Sequence, residues 1–160
     1  MKIPISRVLD KLKRELYRLY HPKLWNKRLQ LNGIPTISGM SNLKLGHDVS
    51  INDNCFIQCN LNGEVSIGDR VTLSRGVTIL TKGLDTSDYI INSQKKYRDH
   101  ITKKVKIGDG TWIAANVVIC PGVEIAEECI VAAGAIVSSS LLKPRSLYAG
   151  IPAKYMKSLE

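Results

Sequence analysis

Apolar residues return at every sixth position through most of this chain. Written in sixes, it reads Leu45-Gly-His-Asp-Val-Ser, Ile51-Asn-Asp-Asn-Cys-Phe and Ile57-Gln-Cys-Asn-Leu-Asn. Four extra residues, Gly63–Ser66, precede Ile67-Gly-Asp-Arg-Val-Thr, Leu73-Ser-Arg-Gly-Val-Thr and Ile79-Leu-Thr-Lys-Gly-Leu. After a break over Asp85–His100 the register resumes at Ile101 and runs through Ile107, Ile113, Ile119, Ile125, Val131 and Val137. The first position is Ile, Leu or Val. The fifth is mostly small or β-branched: Val49, Cys55, Val71, Val77, Val105, Thr111, Val117, Val123, Cys129, Ala135. Such self-similarity predicts a solenoid. Each hexad makes a short strand and a corner. Its first residue points inward, the fifth fills the corner, and a small second residue lets the chain turn. Stacked coils then pair in parallel at ~4.8 Å. The expected architecture is all-β, with a long excursion loop at about 85–100 and a short C-terminal element.

The pattern ahead of the hexads is different. Ile5, Val8, Leu9, Leu12, Leu16 and Leu19 recur at spacings of three and four, which predicts one apolar stripe on a helix. Ser6 is placed to cap its start, and His21-Pro22 to end it. Residues 1–30 hold nine Lys/Arg against two acidic residues, so most of the net charge of +9 sits there. That segment is set apart from a body at 31–160. Two readings stay open for it. One is a basic amphipathic helix lying on an anionic membrane or meeting a polyanionic glycan. The other is a helix packed on the body or on a neighbouring subunit. The body carries no basic stripe, which argues against nucleic acid.

Composition adds little more. With one Phe and two Trp, the interior must be built from Val, Ile, Ala and Leu. Cys55, Cys59, Cys120 and Cys129 form no Cys-x-x-Cys pair, so they are expected as reduced core or near-core thiols rather than as disulfides or zinc ligands. Charges interrupt each N-terminal apolar stretch. No secretory leader or membrane span is therefore expected, and a cytoplasmic location is.

Four segments carry a family resemblance: Ile107-Gly-Asp-Gly-Thr-Trp-Ile-Ala-Ala, Pro121-Gly-Val-Glu-Ile, Val131-Ala-Ala-Gly-Ala-Ile-Val and Ala149-Gly-Ile-Pro-Ala-Lys154. Over about Leu45–Lys154 the chain resembles the hexapeptide-repeat O-acetyltransferases, such as the galactoside, maltose and colanic-acid or capsule enzymes. The resemblance implies a left-handed parallel β-helix, the known exception to right-handed crossovers. It implies a homotrimer with acetyl-CoA bound in the groove between prisms, and a sugar or glycan acceptor. It places Trp112 beside the cofactor channel, the backbones of Ala115 and Ala133 against the pantetheine arm, and Lys154 near a CoA phosphate. Ser138 and Ser139 stand where relatives often carry Thr-Lys near the CoA.

Acetyl transfer to a hydroxyl needs a general base, and imidazole suits it. The candidates are His21, His47 and His100. Relatives place the base in a Thr-Gly-His pattern entering the loop, where this chain has Lys82-Gly83-Leu84. With the loop removed, Leu84 and Ile101 are consecutive in the hexad count, so the two ends of the loop should meet. His100 is therefore the expected base, with Asp85, Asp88 or Asp99 to orient it. Gln58, Asn60 and Asp85 are candidates for holding the acceptor. The alternatives are N-acetylation of an amino sugar or amino acid, and a non-catalytic β-helix scaffold. A γ-carbonic-anhydrase-like metal site is disfavoured, because three scattered histidines do not make a ligand set. No metal is expected.

Overall fold

The computed structural model describes residues 5–24, 28–87, 90 and 97–160. The chain circulates repeatedly round three sheets of seven, five and four strands, parallel throughout except for Lys154–Ser158, the seventh strand of the first. The first face stacks Gln30–Leu31, Ser50–Ile51, Thr72–Leu73, Trp112–Ile113, Ile130–Val131 and Ser146–Ala149. The second stacks Thr36–Ser38, Phe56–Gln58, Thr78–Ile79, Val118–Ile119 and Ile136–Val137. The third stacks Leu43–Leu45, Val65–Ile67, Val105–Ile107 and Glu124–Ile125. First-position residues other than Ile101 lie on their counterparts in the next coil, as Leu73 on Ile113 and Ile113 on Val131. Every fifth-position residue named above is buried, as are the first-position residues from Ile51 to Val137 other than Ile101. The core is therefore a single column of aliphatic side chains running the length of the stack.

Three details of the hexad reading need correction. Small second-position residues do not make the turn. The left-handed backbone falls at the fourth position, in Asp48, Asn54, Arg70, Asn116 and Glu128 as well as in Gly76, Gly110, Gly122 and Gly134. The second position is small because the next coil presses on it: a Cβ on Gly68 would lie 2.1 Å from Asp109 Oδ1. That carboxylate is committed, since Asp109 Oδ1 accepts the Asp69 N–H at 2.9 Å and Asp69 Oδ1 the His47 N–H at 2.6 Å. The extra residues are also placed differently. Leu61, in a nominal fifth position, is 89% exposed, while Val65 is buried and pairs with Val105. Lastly, Ile101 is half-buried outside the prism, in a hairpin described below.

The N-terminal helix α1 spans Ile5–Tyr20, so Ser6 lies within its first turn, and a 3₁₀ turn at Pro22–Leu24 follows. Tyr17 packs on the core, and Arg18 Nη2 donates to the Leu29 carbonyl at 2.8 Å. Val8, Leu9, Leu12, Leu16 and Leu19 are all exposed, so the apolar stripe does not pack on the body of its own chain. No helix among the described residues is long and apolar enough to cross a membrane.

Cys55, Cys59 and Cys129 are buried in the column and Cys120 is half-buried; all four are free thiols. Burial raises the pKa of each, that of Cys59 to about 11. Since the thiolate is the reacting form, a thiol reagent should label the native protein slowly, at Cys120 alone, and all four sites after unfolding. Rapid labelling of two or more thiols, read by mass spectrometry, would contradict this packing.

Candidate functional site

The repeat is interrupted at the corner between the second and third faces. There Lys82–Leu84 pairs antiparallel with His100–Thr102, placing His100 opposite Leu84, Ile101 opposite Gly83 and Thr102 opposite Lys82. The hairpin continues where the Asp85 N–H donates to the Asp99 carbonyl at 2.9 Å. Its base is bolted to the coil below. Thr81 is fully buried; its Oγ1 donates to the Gln58 carbonyl at 2.8 Å and accepts the Asn60 N–H at 3.3 Å. Gln58 Oε1 accepts the Lys82 N–H at 3.1 Å. Gln58 and Asn60 thus have a structural use as anchors of the hairpin.

Cross-strand partners present their side chains to the same face of a hairpin. The exposed His100 imidazole therefore shares a face with residue 84, where the Thr-Gly-His pattern would put its histidine. Asp85 is engaged elsewhere: its Oδ1 accepts from Ser87 N–H at 3.0 Å and Ser87 Oγ at 2.7 Å, and these bonds lower its pKa. Asp99 meets the hairpin through its carbonyl, and Asp88 lies outside the described residues. His47 is exposed at a third position; His21 is half-buried and lies against Tyr17, the rings tilted by 56° with centroids 4.6 Å apart.

The other predicted residues fall on two edges of the stack. Ser138 and Ser139 lie on the same edge as the hairpin, because Ile79, Ile119 and Val137 stack directly and each is followed by that corner. Both serines are exposed. Ala115 and Ala133 lie on the edge between the first and second faces. The Ala115 carbonyl accepts the Gly134 N–H at 2.9 Å, which leaves its amide as the group a ligand could use. Above them Gly150 and Ala153 bond to the backbone of Ile136, and the exposed Lys154 follows, paired with Ala149. Trp112 stands on the first face, 50% exposed, its Nε1 donating to Ser74 Oγ at 2.8 Å. Ser74 escaped the sequence reading. Its only signal was a hydroxyl at a second position, one coil from a tryptophan. Within one chain, then, His100 with the serine pair and Ala115, Ala133 and Lys154 occupy opposite edges of the second face.

A cleft of about 540 Å³ lies elsewhere. It is enclosed by Asp10, Lys13 and Arg14 of α1 and by Asn32–Ile34 and Asp53–Asn54 of the earliest coils. It contains none of the predicted site residues, and its position reflects how α1 leans on the stack. Among the described residues no group of three or more His, Cys, Asp or Glu side chains is placed to hold a metal ion.

Residues 104–139 match the family of bacterial transferase hexapeptide repeats (six repeats). The galactoside O-acetyltransferase of Escherichia coli (strain K12) is 30% identical over 119 residues, covering 74% of this chain and 55% of that protein. The chain thus spans about half the length of this relative. A maltose O-acetyltransferase from Clostridium difficile 630 superposes with a TM-score of 0.71 at 26% identity, over 84% of this chain and 68% of that one. A galactoside acetyltransferase in complex with coenzyme A also gives 0.71 at 26% identity, over 82% and 64% respectively.

Proposed function

Residues 104–139 carry bacterial transferase hexapeptide repeats, and from that premise we propose that this chain transfers an acetyl group from acetyl-CoA to a hydroxyl of a sugar or surface-polysaccharide precursor in the cytoplasm. The observation carrying the reading is the pairing of His100 with Leu84, which restores a histidine to the loop side of the repeat break. The relatives' names supply the reaction class, and the bound coenzyme A of one structural neighbour supplies the donor. In line with that resemblance, the stack is assigned a left hand.

The chemistry asks little of the protein. His100 takes the acceptor hydroxyl proton as the oxygen attacks the thioester carbonyl. The tetrahedral oxyanion is held by backbone N–H donors. It collapses with loss of the CoA thiolate, which recovers the proton from the imidazolium. Trp112, Ala115, Ala133, Ser138, Ser139 and Lys154 line the donor groove. A buried thiol with a raised pKa makes a poor nucleophile, so direct transfer is favoured over an acyl-cysteine. Turnover is tested by CoA release with a panel of sugars and amino sugars. CoA binding without release on any acceptor would leave a scaffold, and release with amino sugars alone would make it an N-acetyltransferase.

The divided edges support a homotrimer. The second face turns Phe56, Val118 and Ile136 outward, whereas the third shows Lys44, Lys106 and Glu124 to water. Packing the hairpin edge of one copy against the Ala115–Ala133 edge of the next buries the apolar face and brings the two halves together. Light scattering should give a trimer mass. Mixed trimers of His100→Ala and Trp112→Ala chains should recover activity that both parents lack. A monomer active on its own would sink the shared site.

A further inference from the structure

The helix α1 is amphipathic the wrong way round for a helix that completes a core. Its polar side faces the stack. Arg18 bonds the Leu29 carbonyl, Tyr17 packs beside it, and Asp10, Lys13 and Arg14 wall the cleft against the first coils. The apolar side faces away. Val8, Leu9, Leu12, Leu16 and Leu19 are between 47% and 58% exposed, and Tyr20 at the end of the helix is 82% exposed. Aliphatic side chains at these spacings form one continuous strip along the helix. Contiguous apolar surface of this kind marks an interaction site.

Charge decides between occupants. The strip belongs to a segment with nine basic and two acidic residues, and the rest of the chain is close to neutral. A second copy of the helix would bring like charge to like charge, and the body is close to neutral overall. An anionic lipid layer offers both an apolar interior for the leucines and negative headgroups for the exposed Lys11 and Lys13. At 16 residues with interleaved charges the helix suits lying in the interface, not crossing it. Tyr20 is the residue type that settles at headgroup level. We propose that α1 docks this protein on an anionic bilayer through the Val8–Leu19 strip, independently of the chemistry at His100. A catalyst held there would meet lipid-linked acceptors in two dimensions.

The test uses the full chain and vesicles of phosphatidylcholine alone or mixed equally with phosphatidylglycerol. The protein should sediment with the mixed vesicles at low salt and stay in solution with the neutral ones. Leu12→Ser together with Leu16→Ser should weaken partitioning by about tenfold or more, because several buried methylenes are lost. Both side chains are exposed, so circular dichroism and CoA binding should be unchanged. Lys11→Glu with Lys13→Glu should weaken it as well, and added salt should mimic that loss. If full-length protein ignores anionic vesicles at low salt, the proposal fails. It fails equally if the leucine variant binds as well as wild type, since attraction would then be charge alone. A change of assembly mass in that variant would show the strip to be a subunit contact and would overturn the proposal too.

Discussion

Replacing His100 with alanine should lower kcat by about 10²–10⁴-fold, the usual contribution of a positioned general base. Affinity for CoA should stay near wild type. The reason is the division of the site. His100 stands on a hairpin outside the prism, held by pairing with Leu84 and by the Asp85 to Asp99 backbone bond. Trp112, Ala115, Ala133 and Lys154 belong to the stack itself and gain nothing from the imidazole. The base is therefore removable without disturbing the cofactor groove. His47→Ala is the matched control. Its side chain is exposed, and the bond it makes to Asp69 uses its backbone N–H, which alanine keeps. Steady-state turnover of both variants, with CoA release as readout, separates the roles. Full turnover in His100→Ala would refute the assignment and point to a carboxylate of the excursion as base.

The second large effect is on stability. Ile113→Ala should cost about 2–5 kcal/mol, the range for truncating a fully buried aliphatic residue. Ile113 has no exposed surface and lies between Leu73 and Val131 in the column. A cavity there weakens two coil-to-coil interfaces at once, and in a stacked chain each coil touches only its neighbours. Those neighbours have no third element to close the gap. Leu61→Ala, at a residue 89% exposed, should change stability by less than about 0.5 kcal/mol. Thermal and urea melts of the two variants would measure the contrast. Equal losses would mean that the column is not the seat of stability.

The pair also shows what the hexad pattern can reveal. Leu61 and Ile113 are both apolar residues at repeat positions, yet one is outside and one is central. The pattern is reliable where many coils agree, as at Ile107, Ile113, Ile119 and Ile125, because each position is then fixed by its neighbours above and below. It fails where a loop changes the count, since an inserted segment can be cut at several points. Val65 and Ile101 were misplaced for that reason. The meeting of the loop ends at His100 was legible, because it needed only the count on either side. Engagement of Asp85 by Ser87 was not, since a short-range turn leaves no periodic trace. Nor was the outward strip of α1: a sequence shows that a helix has an apolar side, but not which way that side is turned.

A stack of parallel strands leaves a row of unpaired N–H and C=O groups at its top, a template for a further copy. Here one segment covers all three sheets. Leu141 bridges to Ile125 on the third, Gly150 and Ala153 bond to Ile136 on the second, and Lys154–Ser158 folds back antiparallel on the first. Lys143 ties this lid down through the Tyr155 hydroxyl at 3.0 Å. The reversal of direction matters more than the coverage. A parallel coil arriving from another molecule would meet an antiparallel strand bearing Lys154 and Lys157, with neither the register nor the charge to continue it. The antiparallel strand therefore acts as a stop to end-on fibre growth, and solubility at high concentration should depend on Lys154–Ser158 more than on any residue in the core.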